Sequence, residues 1–186
     1  MPAFFLTLMA CLIVTLAGRE QIRVAQLAGA LGKGRVLLAI IWICAFATSA
    51  IAAWASTLIA PLLTPPAKTM FIAIALLLSA GELAFLRAGP APKEPTRSAG
   101  AIFIVIFAAQ LTDAARFLVL ALSIQTGEPS FAAIGGAIGS AIALSLAVFA
   151  GKDWEGRVPH RLLAYGAAAI LLVIAIYLGL LSRGII

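Results

Sequence analysis

Residues suited to water are what this sequence lacks. Asp, Glu, Lys and Arg make up 11% of its 186 positions, while 63% are hydrophobic, and the mean hydropathy is +1.14. Soluble domains carry about 25% charged residues, so a soluble globular fold is excluded. Histidine occurs once, at His160, and cysteine twice, at Cys11 and Cys44, with no CxxC spacing. A disulfide framework and a zinc-type site are therefore not expected. Both cysteines read as small core residues inside apolar helices. No nucleophile–base set, glycine-rich phosphate loop or cofactor motif appears, which argues against an enzyme. The formal charge of +6 does not call for nucleic acid, because the basic residues lie in short segments between apolar runs and form no stripe.

What is present is apolar length. Six runs are long enough to cross a bilayer, which takes about 20 residues. They are Pro2–Leu31, Val36–Ile59, Lys68–Leu86, Ala101–Ile124, Ser130–Ala150 and Leu162–Ser182. The first lacks the basic start of a signal peptide, and it is expected to bend or break near Gly18, where a charged cluster begins. Pro61, Pro65 and Pro66 close the second. In the fifth, Gly135-x-x-x-Gly139 lets a neighbouring helix approach closely. Segment 88–100, with Pro90, Pro92, Pro95, Lys93, Glu94 and Arg97, reads as an exposed linker. The expected fold class is an all-α polytopic membrane protein whose constant partner is the lipid bilayer.

Two features organise these runs. Gln110-Leu-Thr-Asp113-Ala-Ala-Arg116 places an acid and an arginine midway along the fourth run, where an ionisable group costs about 2.5–3.5 kcal/mol to insert. Three residues apart on one helix, the two can pair. A shift of 93 residues lays Glu20 on Asp113, Arg23 on Arg116 and Lys68 on Arg161. The chain thus reads as two copies, 1–88 and 100–186, joined by a linker over 89–99. Lys33, Arg35, Arg87, Lys93, Arg97, Lys152, Arg157 and Arg161 fall on one side of the six spans, with Lys68 and Arg183 on the other. The positive-inside rule puts the first set in the cytoplasm, with the linker, and both termini outside. Three spans per copy is odd, so the second copy is inverted. Inverted repeats with polar groups at their interface are an architecture of secondary transporters.

The second half also resembles the Golgi-type manganese/calcium–proton exchanger family, a branch of the lysine-exporter-like superfamily. The resemblance rests on Gly136-Ala-Ile-Gly139-Ser140, on Ala147-Val-Phe-Ala-Gly151, on Arg161 at the start of the sixth span and on the span order. Each repeat of that family carries E-x-G-D-[KR]-[ST] and then a Gln. Its Glu, Gly, Asp and Gln fall here on Gln110, Thr112, Asp113 and Arg116, and on Ala17, Arg19, Glu20 and Arg23. The resemblance implies a divalent cation antiporter, with manganese or calcium as cargo and protons as the counter-ion. Here the cation site is eroded: four carboxylates become two, each with an arginine one helical turn away.

The candidate ion-binding residues are Glu20, Asp113, Gln110 and Thr112, with Arg23 and Arg116 as ion-pair partners. Glu20 and Asp113 are the candidate metal ligands. A purely structural role for these pairs stays open, since buried ion pairs persist without adding stability. Glu82 stands near a span end, within reach of water. Gln26 and Gln125 read as interhelical hydrogen-bond partners, and His160 as a solvated loop residue. The expectation is a transporter of a small cation or other small solute in a bacterial inner membrane, as a homo- or hetero-oligomer. The alternative is a non-transporting membrane subunit that partners an intact homologue.

Overall fold

The computed structural model describes residues 2–31, 34–85, 89, 98–151 and 160–185. Every regular element among them is helical. In chain order these are α1 (Pro2–Ala17), α2 (Arg19–Leu31), α3 (Gly34–Ile59, extended by a 3₁₀ turn, Ala60–Leu62), α4 (Pro65–Phe85), α5 (Ala99–Leu111), α6 (Ala114–Thr126), α7 (Pro129–Ala150) and α8 (His160–Ser182). The α3 stretch, α4, α7 and α8 are each long and apolar enough to cross a membrane. The pairs α1–α2 and α5–α6 qualify only together, bent by 63° and 52°. Counting each bent pair as one span gives the six expected.

The first bend falls at Gly18, as expected. Gly18 N–H reaches back to the Thr15 carbonyl at 3.2 Å, a tightened final turn that ends α1 before the charged residues open α2. The second bend corrects the expectation of one continuous helix over Ala101–Ile124. Thr112 leaves helical geometry at φ −101°, ψ 8°, and Asp113 is extended at φ −81°, ψ 150°. Short polar side chains compete with the backbone for hydrogen bonds and favour helix ends. The Thr112 hydroxyl donates back to the Ala108 and Ala109 carbonyls, each at 3.2 Å. Asp113 and Arg116 are therefore not one turn apart on a single helix; Asp113 precedes α6 and Arg116 lies within it.

Three apolar clusters join the described helices, the two larger in separate groups of four. Val14, Leu76, Leu118 and Leu171 join α1, α4, α6 and α8. Val24, Ile41, Ile106 and Leu144 join α2, α3, α5 and α7. The glycines of α7 work as expected, with α1 as the close neighbour. A Cβ at Gly135 would overlap the Phe4 carbonyl, and one at Gly139 the Leu8 carbonyl. Cys11 and Cys44 are buried and free.

Residues 90–97 of the linker and the 152–159 stretch, with Lys93, Glu94, Arg97, Lys152 and Arg157, lie outside the described residues, as do Lys33 and Arg87. His160 was expected in a loop; it is the first residue of α8. Gln125 is exposed and makes no interhelical hydrogen bond among the described residues, against expectation.

Candidate functional site

Charged groups gather where the two helices break. Glu20, in the first turn of α2, is 5% exposed. Arg23, one turn on, donates from Nη1 to Glu20 Oε1 at 2.8 Å, so the expected pair of the first half forms. Arg19 turns the other way. Its Nε is 3.2 Å from Glu82 Oε1 and 4.0 Å from Glu20 Oε1.

Glu82 stands in the last turn of α4, near a span end as expected, but its surroundings differ from the expectation. It is not a free water-facing group: its side chain is 13% exposed and is held from two sides. Besides Arg19, it meets the backbone of the second break, where Glu82 Oε2 accepts the Ala114 N–H at 3.0 Å. Asp113 has the backbone geometry of a helix N-cap without closing a cap hydrogen bond, and the carboxylate of α4 takes that place. A backbone N–H left open in a hydrocarbon surround costs several kcal/mol, so Glu82 is part of what permits the break.

The expected Asp113–Arg116 pair does not form; no contact within 4.0 Å joins their charged atoms. The helix break is the reason, because Asp113 leaves the helical register before α6 begins. Arg116 is 3% exposed and is held by neutral oxygens. Its Nε donates to Thr48 Oγ1 at 2.6 Å, Nη1 to Ser140 Oγ at 2.9 Å, and Nη2 to Gln110 Oε1 at 3.0 Å. Gln110 is thus brought to the cluster. Thr112 is not: it is exposed, and its hydroxyl is committed to its own helix.

The site therefore holds three acids, Glu20, Glu82 and Asp113, and three arginines, Arg19, Arg23 and Arg116. Among the described residues no group of three or more His, Cys, Asp or Glu side chains is arranged to hold a metal ion. A cleft of about 280 Å³ between α2 and α5 reaches Glu20 and Arg23, past Gln26, Val105 and Ala109. A second cavity of about 600 Å³ lies among the first turn of α4, the end of α6 and the end of α8, beside Lys68, Gln125 and Ser182. None of the candidate ion-binding residues lines it.

Arg19, Thr48, Ser140 and Gln21 were not singled out as site residues from sequence. Gln21 is fully buried and donates to the Ala143 carbonyl at 2.9 Å. Arg19 stood in plain view beside Glu20. Thr48 carries no such signal, because a lone hydroxyl in an apolar helix usually bonds back along its own helix.

Compared with known proteins, residues 98–183 match the family model described as divalent cation/proton antiporter GDT1. The match covers α5 to α8 and agrees with the resemblance read from the second half. No curated protein matches the chain, and no solved structure does.

Proposed function

From the match of residues 98–183 to the divalent cation/proton antiporter family model, we propose that this chain is a secondary transporter of that type. In this reading it is built as two inverted three-helix repeats, 1–88 and 100–186, with an eroded cation site at the helix breaks. The observation that carries the reading is the convergence of three acids and three arginines, from α2, α4, α6 and the α5–α6 break, inside otherwise apolar helices. Ionisable groups buried within membrane helices mark ion and proton pathways. Discontinuous helices at a repeat interface are where transporters place their sites. One pair of contacts fits the repeat: α2 lies on α7 as α6 lies on α3.

The cargo is a divalent cation, manganese or calcium, exchanged for protons. A hard cation takes six to eight oxygen ligands when it is calcium and about six when it is smaller. Glu20 and Asp113 supply carboxylates, and Arg23 competes with the cargo for Glu20. The native chain should therefore bind its cargo weakly. The test is uptake of radiolabelled manganese or calcium into proteoliposomes under an imposed proton gradient. Glu20→Gln and Asp113→Asn should each abolish it. Native uptake no faster than that of protein-free liposomes, or uptake indifferent to both substitutions, rules the reading out.

One observation favours the subunit reading instead: Glu20 and Glu82 are both already engaged by arginine. That reading calls for stable co-purification with an intact homologue and no uptake by the chain alone.

A further inference from the structure

We propose that Thr48 Oγ1, Gln110 Oε1 and Ser140 Oγ form an internal cation seat, which Arg116 fills as a tethered guanidinium. A buried guanidinium is ordinarily matched by a carboxylate, because an unpaired charge inside a protein is costly. Here the guanidinium touches three neutral oxygens from three helices, α3, α5 and α7, and no carboxylate. That is how a cation is held by ligand dipoles.

The hydroxyls are arranged for this. Thr48 gives its proton to the Cys44 carbonyl at 2.7 Å, so its lone pairs face Arg116. Ser140 also accepts from Thr15 Oγ1 at 3.4 Å. Gln110 turns its oxygen to the guanidinium, and its buried Nε2 finds no partner of its own. The amide thus forgoes a donor contact while its oxygen serves the cation. The seat's ligand class is a small cation with hydrogen-bond donors, of the guanidinium or ammonium kind.

The seat deepens the transporter reading and rests on it for one consequence. If the chain moves cations, those reaching the second break meet a seat that already carries a charge of its own.

The seat itself is tested without transport, on the full chain purified in detergent, so its failure stays distinct from failure of the transporter reading. Arg116→Gly empties the seat and should lower the melting temperature. Millimolar guanidinium chloride should then raise it by a few degrees, as a ligand that binds only the folded form does. Urea, a neutral molecule of nearly the same shape, should not. Equal rescue by urea, or rescue by neither, overturns the proposal. Should Arg116→Gly fail to fold, Arg116→Lys and Arg116→Gln replace it. The tethered ammonium should melt above the neutral amide, and equal melting temperatures overturn the proposal as well.

Discussion

Arg19 stands beside Glu20 in the chain, yet it is Glu82 that holds it, at 3.2 Å against 4.0 Å. Glu82 thereby draws a positive charge away from the carboxylate that faces the cleft. In Glu82→Gln, Arg19 is free to turn onto Glu20, and divalent affinity should fall about fivefold, an amount in keeping with one partly exposed ion pair. Arg19→Gln should raise it. The decisive measurement is the double variant: with Arg19 gone, Glu82→Gln should have a clearly smaller effect, because the coupling runs through the lost side chain. Additive effects in calorimetric titration would show that Glu82 acts on the site only as a charge.

Arg23 is the arginine that the cleft exposes, with 41% of its side chain accessible. Arg23→Gln should strengthen manganese or calcium binding about five- to tenfold, since Glu20 loses the partner it holds at 2.8 Å. Weaker binding in that variant would mean that Arg23 belongs to a working site.

Gln110 occupies a position where the related family has Glu, and restoring the acid alone should not restore a cation site. Gln110 Oε1 already accepts from Arg116, so Gln110→Glu should pair with that guanidinium. Divalent binding should stay unchanged in the single variant and rise only when Arg116→Gln is added. A rise in the single variant contradicts this order.

How far the sequence revealed the site follows from these residues. The apolar helices, four spans or six if each bent pair counts as one, the break at Gly18 and the close approach at Gly135 and Gly139 were legible, because hydropathy and glycine act locally. The Glu20–Arg23 pair was legible for the same reason: it is a contact within one turn. Asp113–Arg116 has the same spacing and failed, since a helix break between the two moves the acid out of register. Glu82 and Thr48 could not be placed because their roles are set by the other helices they meet, Glu82 by α2 and α6 and Thr48 by α5 and α6. No spacing along the chain records such meetings.

The glycines of α7 give a stability prediction. Gly139→Ala puts a methyl group against the Leu8 carbonyl and should destabilise by about 1–3 kcal/mol, the usual cost of overpacking. Gly81→Ala, which meets nothing within 4 Å, should be neutral or slightly stabilising. Thermal melting of the two variants side by side decides. Equal melting temperatures would mean that α1 and α7 yield more easily than their packing suggests.

The basic residues motivate a topology prediction. Reporter fusions at Arg97 should give a cytoplasmic signal, and fusions at Ile186 a non-cytoplasmic one. A cytoplasmic signal from Ile186 removes the inverted repeat.

Arg116 is held by Thr48 of α3 as well as by its own half, and this bears on how the protein is made. A ribosome delivers α3 to the membrane well before α6. The arginine therefore arrives to find its acceptor already in place, and need not wait in lipid at about 2.5–3.5 kcal/mol. A gene split at the linker should give two fragments that accumulate only when expressed together, with the carboxy-terminal fragment the more dependent on its partner. Thr48→Val in the amino-terminal fragment should weaken the support it gives Arg116, and degradation of the carboxy-terminal fragment despite co-expression would be the sign of it.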